Sequence, residues 1–105
     1  MRRGEVWLAH VGRKRRPVLV LTRSEVIDVR QLVTVAEITT NVRGLAVEVG
    51  LEGHGVGLVG QDQASVVNCD GIHTIEQTSL TGPIGEVEED TMREVCSAIK
   101  YALGC

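Results

Sequence analysis

A chain of 105 residues is the length of one domain over residues 1–105, and it buries roughly 65% of its unfolded surface, enough for one modest core. No run approaches the ~20 apolar residues of a membrane span. Three cysteines (Cys69, Cys96, Cys105) without CxxC spacing argue against a disulfide framework or a zinc site and for a reducing, cytoplasmic setting. The net charge of −3 speaks against nucleic-acid binding as a sum, but not as a distribution: residues 1–50 hold nine Lys/Arg against five Asp/Glu, and residues 51–105 hold two against nine.

The basic start, Met1 to Glu5, leads into no long apolar run, so a secretory signal is not expected. Glu5 to Val11 reads as a first strand, with Val6 and Leu8 on one side and Trp7 on the other. Gly12 to Arg16 reads as a short basic loop. Pro17 to Thr22 is an apolar, β-branched run suited to a central strand, with the proline at its first residue, where no ladder donor is needed. Ser24 to Arg30 is polar and irregular, with a helical turn as one option. Leu32 to Ile38 is the next strand, ending in Thr39-Thr40-Asn41, and Leu45 to Val49 alternates apolar and polar.

Gly50 to Gly60 contains five glycines and reads as a turn; no GK[ST] follows, so it is not a phosphate-binding loop. Ser65–Asn68 and Ile72–Ile75 read as short strands interrupted by Cys69-Asp70-Gly71, and Gly82 to Val87 as a last strand. From Met92 to Leu103 apolar residues recur at helical spacing, with Glu88, Glu89 and Asp90 at the N-terminal end, Lys100 near the C-terminal end and Gly104 as a stop. The expected architecture is mainly β with a C-terminal helix: a small, strongly bent barrel of five to seven strands with the helix packed on it.

The most telling stretch is Arg13-Lys14-Arg15-Arg16 running into Pro17 and a buried strand, because cations at the start of a rigid element are held still against a phosphate. His10, His54 and His73 are scattered, and no HExxH or paired Cys/His spacing calls for a metal or other cofactor. RNA cleavage by its own 2′-hydroxyl needs neither a metal nor an outside nucleophile. It needs in-line positioning and donors for the charge that builds on phosphorus. An arginine fork and a threonine hydroxyl are suitable donors, and DNA, lacking the 2′-hydroxyl, would not react.

Four stretches resemble one family in order and spacing: Arg3-Gly4-Glu5-Val6-Trp7, Arg16-Pro17-Val18-Leu19-Val20-Leu21, Val35-Ala36-Glu37-Ile38-Thr39-Thr40, and Val66-Val67-Asn68-Cys69-Asp70-Gly71-Ile72-His73-Thr74-Ile75. They are similar to strands of the MazF/PemK (Kid) toxins of bacterial type II toxin–antitoxin systems. The resemblance implies an SH3-like barrel of the Kid/MazF/CcdB type and a homodimer. It implies a sequence-specific, metal-independent mRNA interferase that cleaves single-stranded RNA (mRNA, with tRNA and rRNA as further candidates). Such an enzyme leaves a 2′,3′-cyclic phosphate and a 5′-hydroxyl, arrests translation and growth, and is neutralised by a MazE-like antitoxin.

By the same resemblance the catalytic arginine falls on Arg16 and the catalytic threonine on Thr39. Candidate RNA-binding groups are Arg13, Lys14, Arg15, Thr22, Arg23, Thr40, Asn41 and Asp70, acting through charge and hydrogen bonds, since the chain has no Phe, one Tyr and one Trp for stacking. The chain departs from the family pattern at Asn68, where an arginine is usual, at Gly71 for glutamine and at His73 for arginine, and its loop from Val11 to Arg15 is short. A CcdB-like gyrase poison, with the same barrel but no RNA chemistry, is the alternative. It lacks the pairing of Arg-Pro with Thr.

Overall fold

The computed structural model describes residues 1–11, 13–51 and 65–105. Six strands, β1 (Glu5–Val11), β2 (Lys14–Val20), β3 (Leu32–Thr39), β4 (Glu48–Gly50), β5 (Val66–Glu76) and β6 (Leu80–Glu86), form one antiparallel sheet in the order β4-β5-β3-β2-β1-β6. Helix α1 (Ser24–Ile27) is a single turn between β2 and β3, and α2 (Glu89–Leu103) ends the chain. A 3-10 turn at Gln77–Ser79 links β5 to β6. The glycine-rich segment from residue 52 to residue 64, with His54 and most of the expected Gly50–Gly60 turn, lies outside the described residues. Leu51 N donates to Ser65 O at 2.9 Å, so the chain returns beside the point where it left.

Alternation along the strands divides the apolar residues between the two faces of the sheet. Val6, Leu19, Ala36, Ile38, Val67 and Cys69 point to one face and pack under Met92, Val95 and Ala98 of α2. Ala9, Val18, Val20, Val33, Val35 and Leu80 point to the other and gather with Ile27 of α1, Trp7 and Ile75. β2 is buried on both sides at Val18, Leu19 and Val20, as a central strand should be. α2 follows from its charges and its stop: Glu89 and Asp90 lie in its first turn and Lys100 in its last. Gly104 takes φ +72°, the left-handed conformation that lets the final carbonyls of Lys100 and Tyr101 find backbone N–H partners.

Four features differ from the sequence reading. The sheet is not closed: β4 has only three residues, pairs with β5 alone, and leaves β4 and β6 as two edges among the described residues, so the SH3-like barrel is an open sheet here. The basic loop is in fact strand. Pairs His10↔Arg15 and Val11↔Lys14 carry the β1–β2 hairpin to its tip, so the cations belong to a ladder and not to a free loop. The two short strands around Cys69-Asp70-Gly71 are one strand, β5, in which the register steps from Ala36↔Ile72 to Glu37↔Asn68 and the extra residues form a bulge. Of the alternating stretch Leu45 to Val49, residues 45–47 are not strand: the Glu48 carboxylate accepts the N–H groups of Arg43 and Leu45 (3.1 and 3.0 Å) and folds the chain before β4 into a loop.

Candidate active site

β2 and β3 pair as Val18↔Glu37, Leu19↔Ala36 and Val20↔Val35. Arg16 and Thr39 each lie two residues beyond the last of these pairs, Val18↔Glu37, and alternation puts both on the side of that pair. That is the face of Val18, Val20, Val33 and Val35, away from α2, so guanidinium and hydroxyl share one side of the sheet. They also share one cleft of about 410 Å³, lined by Lys14, Arg15, Arg16 and Pro17 of β2, by Ile38 and Thr39 of β3, and by Thr40. Pro17 at the β2 side of this cleft narrows the backbone freedom of the strand that carries Arg16.

The two groups are chemically prepared in different ways. Thr39 Oγ1 accepts the Asn41 N–H at 3.0 Å, which fixes the oxygen and leaves the hydroxyl hydrogen free to donate into the cleft. Arg16 is exposed, and among the described residues no carboxylate forms an ion pair with it. A guanidinium is always cationic and offers a planar fork, so an unpaired one beside two further cations, Lys14 and Arg15, makes a receptor for a phosphate. The arrangement can hold a phosphodiester and stabilise added negative charge on it, by one fork and one oriented O–H.

The other residues singled out from sequence fall into three groups. Lys14, Arg15 and Thr40 line the cleft with Arg16 and Thr39, and Asn41 adjoins it through its N–H. Arg13 is exposed at the hairpin tip next to Lys14. Thr22 and Arg23 lie beyond the other end of β2, about 20 Å away at the usual rise of a strand. Thr22 Oγ1 there accepts the Thr34 N–H at 2.8 Å, and Arg23 lines a separate cleft with Arg3 and Ser24. Asp70 is exposed on the β5 bulge, outside the cleft, and its N–H donates to Asn68 Oδ1.

Of the histidines, His10 is exposed with Nε2 3.2 Å from Thr81 Oγ1, and His73 pairs with Glu37. Glu37 was not among the candidates from sequence, although a charge inside the apolar run Val35–Ile38 of a central strand was a visible signal. Among the described residues no three His, Cys, Asp or Glu side chains come together to hold a metal ion. The three cysteines are free thiols; burial pushes the Cys69 thiol up to about 11, so it is held as an uncharged core group.

Comparison with known proteins matches residues 2–103 to the family described as "PemK-like, MazF-like toxin of type II toxin-antitoxin system". The chain belongs to this family. Its MazF-like character extends over nearly the whole length in individual relatives. It is 38% identical over 109 residues to "Probable endoribonuclease MazF5" of Mycobacterium tuberculosis, covering 98% of this chain and 93% of that one. In structure it is similar to the Mycobacterium tuberculosis toxin MazF-mt6, with a TM-score of 0.84 at 38% identity, covering 95% and 96% of the two chains. It is similar as well to an endoribonuclease in complex with its cognate antitoxin from a mycobacterial species, with a TM-score of 0.86 at 27% identity over 99% and 95%. The matched family is the nuclease branch of the expected fold, which favours the MazF reading over a CcdB-like gyrase poison. Among the described residues no helix is long and apolar enough to cross a membrane.

Proposed function

We propose that this MazF-family endoribonuclease toxin cuts single-stranded RNA in the cytoplasm without a metal ion, with Arg16 and Thr39 as its catalytic pair. The 2′-oxygen attacks the adjacent phosphorus, the bond from phosphorus to the 5′-oxygen breaks, and the products are a 2′,3′-cyclic phosphate and a 5′-hydroxyl. The 2′-hydroxyl proton leaves to water and the 5′-oxygen takes one from water. The pentavalent intermediate carries one more negative charge than the diester. Arg16 binds two of its oxygens as a fork, and Thr39 donates to a nonbridging oxygen. Lys14, Arg15 and Arg13 draw in the flanking phosphates, while Thr40 and Asn41 offer hydrogen bonds to sugar or base. DNA binds in the same cleft but has no nucleophile.

What supports this reading is the shared cleft, lined by both Arg16 and Thr39, with neither group in an ion pair among the described residues. A homodimer and a MazE-like antitoxin that covers the cleft complete the proposal, and growth arrest follows from loss of translatable mRNA. Purified protein incubated with single-stranded RNA in excess EDTA is expected to cut it and leave cyclic phosphate ends. Arg16→Ala, checked for folding by circular dichroism, is expected to lose about 10²–10³-fold in rate, the usual cost of deleting a main donor to a developing anion. Cleavage abolished by chelator, or retained in full by Arg16→Ala, contradicts the proposal.

A further inference from the structure

Glu37 is a carboxylate on the face of the sheet that carries Arg16 and Thr39. It pairs with Val18 of β2, and Arg16 lies two residues further along β2 on the same side. That is a diagonal of about 7–8 Å, which long side chains span. An arginine and a glutamate so placed attract one another. They form no ion pair: among the described residues Arg16 has none, and Glu37 has one, with His73. His73 Nε2 lies 3.2 Å from Glu37 Oε1. An ionised carboxylate only accepts, so this ring nitrogen carries the hydrogen and donates it.

The strand register sets which way the contact pulls. Along β3, Thr39 follows Glu37 on the same face and Val35 precedes it, and His73 of β5 is opposite Val35. Arg16 belongs to the β2 side and the Thr39 end, His73 to the β5 side and the Val35 end. The carboxylate is therefore drawn across β3 and away from the cleft. Gly71 makes room for it there. A Cβ on Gly71 would stand 2.5 Å from Glu37 Oε2, too close unless the carboxylate moved. Burial does not hold this side chain in place, since Glu37 is 41% exposed and His73 53%. Exposed ion pairs are weak one by one, so a carboxylate in that setting goes to whichever cation is left to hold it.

We propose that His73 is a positioning residue for cleavage: it holds the Glu37 carboxylate over Gly71 and away from Arg16, so that the guanidinium fork stays open for the scissile phosphate. Without the imidazole the carboxylate turns to Arg16, competes with the phosphate for the fork and sets a negative charge beside it. This rests on the ribonuclease reading above, in which Arg16 meets the phosphate.

Two readouts separate this role from a structural one. The first is single-turnover cleavage of one RNA. The second is affinity for a fully 2′-O-methylated RNA of the same sequence, which keeps phosphates and bases but has no nucleophile. His73→Ala is expected to slow cleavage and weaken that affinity, each by about fivefold, the upper worth of an exposed ion pair, with an unchanged denaturation midpoint. Glu37→Gln added to His73→Ala removes the competing charge and should return both to within about twofold of the unmodified toxin. A residue that touched RNA itself, or served folding alone, would not be rescued in this way. In an Arg16→Ala background the His73 change should have no further effect. A His73→Ala variant as active and as tight-binding as the unmodified toxin, or one that stays impaired when Glu37→Gln is added, overturns the inference and leaves the ribonuclease reading standing. A folded, unmodified toxin that cuts no RNA overturns the ribonuclease reading, while the affinity series still decides whether His73 frees Arg16.

Discussion

The two faces of the sheet are built from the same strands and end differently. On the face under α2, apolar residues run through: Leu19, Ala36, Ile38 and Val67 meet Met92, Val95 and Ala98, and the layer is sealed. On the opposite face Val18, Val20, Val33 and Val35 are equally buried, but one step further along each strand the side chains become Arg16, Glu37 and Thr39, half-buried or exposed. One strand therefore holds both a core and a site. Rigidity of the first positions the second, because a two-residue advance along β2 or β3 keeps the same face and only leaves the shelter of the core.

Changes on the sealed face should cost stability, and changes on the open end should cost chemistry. The largest effect expected is on the sealed face: Leu19→Ala, at a site with no exposure, should lower unfolding free energy by about 2–5 kcal/mol. Denaturant titration measures that loss, and cleavage per folded molecule should be unchanged. Arg16→Lys keeps the charge and removes the fork; activity should fall about 10–100-fold, the worth of one charge-assisted hydrogen bond, with an unchanged denaturation midpoint. A shift in that midpoint as large as that of Leu19→Ala would erase the distinction between the faces.

Gly71→Ala should cost less, under about 1 kcal/mol, because the atoms a Cβ meets are the ends of two side chains, which can turn aside. The smallest effect is in the loop after β3. The hydrogen bond from Leu45 N–H, opposed by desolvation and helped in turn by those from Arg43 and Gly44 N–H and by the Arg43 charge, holds the Glu48 carboxyl below the ordinary glutamate range. A depressed folded-state value means that the loop is fully supported above the ordinary glutamate pKa and loses that support as pH falls through the lowered value. The protection of the amides of residues 43–45 against exchange, corrected for the intrinsic rate, should therefore fall on acidification below the ordinary glutamate range, and Glu48→Gln should flatten that dependence.

What could be read from the sequence followed from alternation and caps. β1, β3 and α2 lie within a residue or two of their expected bounds, because their apolar spacing and end charges are local signals. The β2 start was misplaced at Pro17, because a run of four cations looks like a solvated loop, whereas a hairpin partner, β1, supplies the ladder that extends it to Lys14. The break in β5 was misread for a related reason: Cys69-Asp70-Gly71 has turn chemistry, and only the partner strand turns it into a bulge. Closure of the sheet is a tertiary property that strand count alone does not contain. In the candidate site, Arg16 and Thr39 were singled out through family motifs, and the cleft that both line is a matter of how β2 and β3 are arranged. Glu37 was not, since its meaning depends on which residues of β5 lie across from it.

A double-mutant cycle on Arg16 and Thr39 reaches the central claim most directly. Single-turnover cleavage of one RNA by the unmodified toxin, Arg16→Ala, Thr39→Val and the double variant measures whether both groups serve the same phosphorus. The account predicts that each single change slows cleavage and that the double change slows it by clearly less than the product of the two. Multiplying effects, or a Thr39→Val variant as fast as the unmodified protein, would contradict it.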